Sequence, residues 1–312
     1  VSRAAHAPGQ GPESFVAVDW GTSGFRLWHL CARGEVLQRA SGPFGMSTLP
    51  PSAFGPLLEQ QLDAAGVGPA VPVVICGMAG ARTGWHEAPY MNIDEPLSRL
   101  GTRAVRVPDI EREVHILPGM KQGKPADVMR GEETQLLGLM AMRPNCTGTV
   151  CLPGTHSKWV ALRDGRIERF TTCMTGELFG LLSERSTLSP AVTGGARDPA
   201  AFDAAVHEAM RAPERVASAL FELRARSLLT DRSAGSRRSR LSGLLIGLEL
   251  AATRSFRQGG TVLLLGTDSL MAVYARALAS LSIESETPDA ERLTRLGLTA
   301  AFARIRERTD GT

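Results

Sequence analysis

The chain has 312 residues, 43% hydrophobic, 21% charged and 5% aromatic, with a net charge of +3; it is long enough for two globular domains, and no apolar run approaches the ~18–20 residues that span a bilayer, so no membrane partner is expected. Few aromatics, and cations that are nearly all Arg (the Lys are Lys121, Lys124 and Lys158), argue against a nucleic-acid partner. The cysteines at 31, 76, 146, 151 and 173 lack metal-ligand spacing and read as reduced, mostly buried thiols of a cytoplasmic protein, with a Cys146–Cys151 pair the weaker alternative.

Residues 1–13 are rich in Ala, Gly and Pro without the apolar core of a secretory signal, and are expected as a disordered leader. A strand from Phe15 to Asp19 runs into the turn Gly21-Thr22-Ser23-Gly24 and a second strand over 25–31. Strands joined so closely must be antiparallel. A third strand is expected over 35–40, and a helix over 52–66 with Phe54, Leu57, Leu58 and Leu62 on one side and a closing Gly. The short apolar run 71–76 reads as a buried parallel strand ending in Gly77-Met78-Ala79-Gly80. Another short strand covers 114–117, and a Leu-rich helix runs from Glu132 to Arg143 until Pro144 stops it.

A second hairpin then repeats the first. An apolar strand from Thr149 enters Pro153-Gly154-Thr155-His156-Ser157, a strand follows, and Asp164-Gly165 marks the next turn. Helices are expected over 176–185, 199–210, 214–228 and 237–257, a buried strand over 261–265, a helix over 268–280 capped by Asp268 or Ser269, a short strand at Ile283 and a last helix over 289–306. The cluster Arg237-Arg238-Ser239-Arg240 reads as a solvated loop or helix start.

Two turns of glycines and hydroxyls are suited to one chemistry. Backbone N–H groups in such a turn converge on an anion, and Asp19 at the strand end can hold a hydrated Mg²⁺ beside it. Gly21, Thr22 and Ser23 would donate to phosphates from the first turn, and Gly154, Thr155, His156 and Ser157 from the second, with Lys158 aimed at phosphate or at solvent. Pro153 stands where the first turn has Asp19, so the first copy alone would carry the metal. Glu132 and Glu133 satisfy the preference of a helix start for negative charge; either could also hold an attacking hydroxyl in line.

Paired hairpin loops of this kind resemble those of the sugar kinase/actin/heat-shock chaperone superfamily. Within it the chain is similar to the 2-dehydro-3-deoxygalactonokinase family, in order along Val18-Asp19-Trp20-Gly21-Thr22-Ser23, Gly77-Met78-Ala79-Gly80 with Gly84-Trp85 and Ala88-Pro89-Tyr90, Met129-Arg130-Gly131-Glu132-Glu133-Thr134-Gln135, Pro153-Gly154-Thr155-His156-Ser157-Lys158-Trp159, Thr175-Gly176-Glu177-Leu178 and Leu241-Ser242-Gly243. The resemblance implies an α/β protein of two lobes with the actin-like ATPase (ribonuclease H-like) fold, spanning 14–145 and 146–312, with ATP and substrate in the cleft between them. It implies an ATP- and Mg²⁺-dependent kinase acting on the 6-hydroxyl of 2-dehydro-3-deoxy-D-galactonate.

By analogy with exopolyphosphatases, Glu133 is the preferred base and Glu132 the second choice. The resemblance further implies a sugar-acid site from Gly80, Arg82, Trp85 and Tyr90, joined by Arg130, Thr175 and Glu177, and an adenosine turn at Gly266, Thr267 and Asp268 that lacks its usual second glycine. Trp85 reads equally as a core anchor. The alternatives are a kinase for the gluconate epimer, a phosphatase of the exopolyphosphatase type, whose second loop is usually richer in glycine, and a non-catalytic sugar sensor, which would need a DNA-binding helix-turn-helix. Exposed helical faces in the second lobe would permit a homodimer.

Overall fold

The computed structural model describes residues 14–31, 33–108, 110–229, 233–257 and 259–310; the expected leader over 1–13 lies outside them. The chain divides into two compact units. The first runs to Cys146 and takes in Asp164–Ile167 and the segment from Asp289; the second comprises Thr147–Arg163 and Glu168–Pro288.

In the first unit, β1 (Phe15–Trp20) and β2 (Phe25–Leu30) form the expected hairpin, with Asp19 opposite Arg26. β3 (Val36–Gly42) adds to β2. Helix α1 (Phe54–Ala64) carries the chain back, so β4 (Val73–Gly77) lies parallel to β1 with Cys76 beside Asp19. After β5 (Met91–Asn92) come β6 (Val105–Arg106) and β7 (Val114–Ile116), which complete a sheet of order β3-β2-β1-β4-β7-β6. β8 (Met120–Gly123) and β9 (Ala126–Met129) pair with β5 in a small sheet, and α2 (Glu132–Met142) follows. β4 and β7 are buried along their whole length, as parallel strands covered on both faces must be. Trp20, packed against Phe25 and Phe54, anchors this core, and its indole N–H donates to the Phe44 carbonyl at 2.7 Å.

The second unit repeats the plan. β10 (Gly148–Leu152), β11 (Ser157–Arg163) and β12 (Arg166–Cys173) lead into α3 (Thr175–Glu184), α4 (Ser189–Val192), α5 (Pro199–Arg211), α6 (Val216–Leu229) and α7 (Ala234–Ala252). β13 (Val262–Leu264), α8 (Asp268–Ser280) and β14 (Ser285–Glu286) close the unit. The sheet order β12-β11-β10-β13-β14 reproduces β3-β2-β1-β4-β7, with β10 antiparallel to β11 and parallel to β13. α5 and α7 lie close because Gly243 and Gly247 sit against the carbonyls of Phe202 and Val206, where an added Cβ would approach within 2.4 and 2.7 Å.

Three expectations are corrected. The last helix, α9 (Ala290–Asp310), belongs to the first unit and not, as expected for 146–312, to the second. It crosses α2 at a pair of glycines: a Cβ on Gly138 would lie 1.9 Å from the Leu293 carbonyl, and one on Gly297 1.9 Å from that of Thr134. Phe302 stacks on Phe15 at 4.3 Å, and the Trp28 indole donates to Glu291 at 3.1 Å. Thr267, not Asp268 or Ser269, occupies the N-cap of α8, without a side-chain cap bond. Finally, the cysteines, none of them in a disulfide, are less buried than expected: only Cys76 and Cys151 are buried. Among the described residues, no helix is long and apolar enough to cross a membrane.

Candidate active site

In the first unit, three element ends meet around Gly77. β1 ends beside Asp19, β4 ends on Gly77, and α2 begins after Gly131. Gly77 has φ +91°, and a Cβ there would lie 2.6 Å from the Trp20 carbonyl; Gly131 has φ +108°, with its own Cβ position 3.4 Å from the Gly77 Cα. Only glycine combines that backbone with that approach, so these two residues bring the start of α2 onto the strand ends. The Asp19 side chain, 16% exposed, pairs through Oδ2 with Arg26, while Oδ1 lies beside Gly77.

The first turn is held from behind. The Gly21 and Thr22 carbonyls accept from the Met46 and Ser47 amides at 3.0 and 2.9 Å. Thr22 and Ser23 are exposed, but the Gly21 amide donates to the Gly24 carbonyl at 2.9 Å. Gly21 therefore closes the turn and does not serve as the expected phosphate donor.

The two adjacent glutamates part company. Glu133 is 0% exposed, and both its oxygens accept from the Gly131 amide at 2.8 Å. Burial, reinforced by the neighbouring Glu132, pushes its carboxyl up to about 8. Glu132 is partly exposed and accepts from the Arg130 amide at 3.0 Å. Glu133, the preferred base, is sealed, and Glu132 is the one of the pair that a hydroxyl could reach.

The cation of the site is likewise not the nearest in sequence. Arg82 is 86% exposed and pairs with Glu87 at 3.6 Å. Arg130 lies in a slot made by Gly80, where a Cβ would come within 2.8 Å of Nη1. Its Nη2 donates to the Ala88 carbonyl at 2.9 Å and its guanidinium lies over the Tyr90 ring at 4.3 Å. Its Nε and Nη1 are buried without a hydrogen-bond partner, although buried donors are nearly always satisfied. Gly80, Tyr90 and Arg130 thus form one cluster. Trp85 does not join it; it stacks on Phe54 at 6.2 Å as a core anchor.

In the second unit the turn at 153–157 rests on the start of α3. A Cβ on Gly176 would lie 2.3 Å from the Gly154 carbonyl, and the Glu177 amide donates to the Thr155 carbonyl at 3.0 Å. Thr155 and His156 are exposed, and His156 Nε2 pairs with Glu177 at 2.6 Å, which makes Glu177 a partner of the turn. Ser157 and Thr175 are buried, Ser157 bonded to Tyr274 and Thr175 to Glu249, and Thr175 also lines the cavity beside the turn. Lys158 is buried, which removes the solvent alternative.

Beside this turn opens a cavity of about 410 Å³, lined by Gly154, Phe179, Asp198, Arg238, Ser242 and Ser269 among others. Of these six, only Gly154 was expected to touch a ligand. The supposedly solvated Arg cluster lies within α7 and is tied down: Arg238 stacks on Phe179 at 4.8 Å, Arg240 pairs with Glu208 at 2.7 Å, and Arg237 donates to the Ala191 carbonyl at 2.6 Å. The legible signal was Gly235, Ser239 and Ser242, small residues at helical spacing that all line the cavity. Gly266 sits against the Pro153 carbonyl, 3.2 Å from its Cβ position, while Thr267 and Asp268 are exposed at the entry to α8.

Asp19 suits a Mg²⁺ carried by phosphates. Among the described residues no group of three or more His, Cys, Asp or Glu could cage a metal, and Mg²⁺ ordinarily takes one or two carboxylates, substrate phosphates and water.

Comparison with known proteins gives the family. The sequence profile of the 2-keto-3-deoxy-galactonokinase family matches residues 19–301. A probable 2-dehydro-3-deoxygalactonokinase of Rhizobium meliloti is 43% identical over 93% of this chain and 97% of its own, and the 2-dehydro-3-deoxygalactonokinase of Escherichia coli is 32% identical over 86% and 91%. A crystal structure assigned to the same activity, from Sinorhizobium meliloti, superposes with a TM-score of 0.87 at 41% identity, covering 93% of this chain and 96% of that one. Component A of the (R)-2-hydroxyglutaryl-CoA dehydratase of Acidaminococcus fermentans shares the fold alone, with a TM-score of 0.52 at 12% identity over 95% and 99% of the two chains. The fold is that of the actin-like ATPases and sugar kinases.

Proposed function

The chain belongs to the 2-keto-3-deoxy-galactonokinase family, and from that premise we propose that it transfers the γ-phosphoryl group of ATP to the 6-hydroxyl of 2-dehydro-3-deoxy-D-galactonate in galactonate catabolism. The observation that carries the substrate class is Arg130. Its Nε and Nη1 are charged donors without a partner, suited to the oxygens of an anionic substrate, and its own amide holds Glu132 at 3.0 Å. A sugar acid presents a carboxylate at one end and a primary hydroxyl at the other. Arg130, braced by Tyr90 and the Ala88 carbonyl, holds the first; Glu132 holds the second.

In the transfer, the hydroxyl oxygen bonds to the γ-phosphorus, the bond to the β-phosphate oxygen breaks, ADP leaves, and the hydroxyl proton passes to Glu132. Such a transition state needs positioning and charge compensation more than covalent chemistry. On this reading Thr22 and Ser23 are the phosphate donors of the first turn, and Gly154, Thr155 and His156 those of the second. Asp19, paired with Arg26, would hold Mg²⁺, and the ion would supply charge neutralisation of the phosphate oxygens. The cavity beside the second turn, with Gly266, Thr267 and Asp268 at the head of α8, takes the nucleoside. The free thiols fit a cytoplasmic enzyme.

The test is ADP formation by the purified protein with ATP and Mg²⁺, offered 2-dehydro-3-deoxy-D-galactonate, its gluconate epimer, polyphosphate or no acceptor. Turnover with the galactonate compound alone is expected. Equal rates with both epimers would broaden the substrate, and phosphate release without a sugar acid, or no turnover, would overturn the reading.

A further inference from the structure

The second unit buries a carboxylate that the transfer reaction does not use. Glu249, on α7, is 3% exposed. It accepts from the Trp159 indole at 2.7 Å, from the Tyr274 hydroxyl at 2.8 Å, and from the hydroxyls of Thr175 and Ser157. These donors come from β11, α3 and α8, the elements that frame the turn at 153–157. Burial pushes the Glu249 carboxyl up, and the four hydrogen bonds act against that rise.

The direction of the bonding follows from the inventory of protons. An ionised carboxylate can only accept. Tyr274 has one proton and gives it to Glu249, so the single Ser157 proton goes either to Tyr274 Oη, 2.9 Å away, or to Glu249 itself. The Ser157 oxygen is then free to accept from the Gly154 amide, at 3.5 Å. A chain of hydrogen bonds therefore runs from the backbone of the turn to Ser157 and on to Glu249, directly or by way of Tyr274. A buried carboxylate is a poor way to stabilise a fold, since apolar residues of similar volume do as well or better. What it supplies here is a single orientation for every donor around it.

We propose that Glu249 is a positioning residue for phosphoryl transfer: acting through Tyr274 and Ser157, it holds the turn from Pro153 to Ser157 in the one conformation that presents Thr155 and His156 to the nucleotide phosphates. This rests on the reading of that turn as a phosphate loop. Tyr274→Phe keeps the ring that lines the cavity and removes the relay. Glu249→Gln keeps the size but has one acceptor oxygen.

The experiment measures calorimetric affinity of the purified full chain for AMP and for the non-hydrolysable triphosphate analogue AMP-PNP, both with Mg²⁺, together with kcat, KM for each substrate and Tm. For Tyr274→Phe we expect about a tenfold loss of AMP-PNP affinity, as for one lost hydrogen bond at a charged ligand, less than twofold change for AMP, and an unchanged KM for the sugar acid. Glu249→Gln should do the same; if it fails to fold, Tyr274→Phe decides. A parallel loss of AMP and AMP-PNP affinity, or no loss of either, overturns the proposal by leaving the network a purely structural one. Wild-type protein that makes no ADP with the sugar acid would instead refute the kinase reading, and the AMP against AMP-PNP contrast would still decide the role of Glu249.

Discussion

The two glycine-hydroxyl turns sit at the same place in the same sheet plan, at the end of the first strand of each unit, yet they are supported by opposite means. Beneath the first lies an ion pair, Asp19 with Arg26, and behind it the amides of Met46 and Ser47. Beneath the second lies a buried chain of neutral donors ending on Glu249, and behind it the start of α3. The first keeps a partly exposed carboxylate beside Gly77; the second rests on a carboxylate sealed behind it. On the proposed function, a duplicated fold divides one reaction, with the reacting groups in the first unit and the nucleotide scaffold in the second.

This division predicts separable defects. Glu132→Gln should lower kcat by about 10²–10⁴, with nucleotide affinity unchanged by calorimetry; an equal loss in Glu133→Gln and none in Glu132→Gln would restore the opposite assignment. Arg130→Met should reduce kcat/KM for the sugar acid by about 100-fold, through loss of charged donors, while KM for ATP stays constant. A fall confined to ATP would move Arg130 to the nucleotide. Asp19→Asn should raise the Mg²⁺ concentration for half-maximal rate by about tenfold, and a Mg²⁺ titration identical to wild type would remove Asp19 from the metal.

The smallest effect concerns stability and pH. Glu133 titrates near 8 in the folded chain against an ordinary value of 4.5. The native state therefore binds the extra proton between those values. Its contribution is complete below 4.5 and is lost as pH rises through 8, at up to about 1.4 kcal/mol per pH unit. Glu133→Gln, which cannot ionise, should overtake the wild type in Tm as pH rises from 5 to 8. Parallel Tm curves would show that the carboxyl is not held protonated.

Much of the fold was legible because it is local. Alternation, short apolar runs and turn residues marked both hairpins, β4, β7, α2 and α5 nearly to the residue, since strand and helix periodicity need only neighbours in sequence. The chemistry of the site was legible by residue type, as a carboxylate beside a glycine-hydroxyl turn and a glutamate pair at a helix start. Its membership was not. Arg82 and Arg130 look alike in sequence, and only the slot at Gly80 and the ring of Tyr90 mark the one with unfilled donors.

By itself the sequence determined the two hairpins, the order of strands that their repetition implies, and the family to which the chain belongs. Tertiary structure alone decided that Glu133 is sealed while Glu132 is not, that Trp85 is core, that Ser157 and Thr175 are buried, and that the last helix joins the first unit. These are questions of burial and pairing. They are settled by partners far away along the chain, Trp159 with Glu249 across 90 residues and Trp28 with Glu291 across 263, and the free energy of a buried polar group depends on those partners, not on the residues beside it.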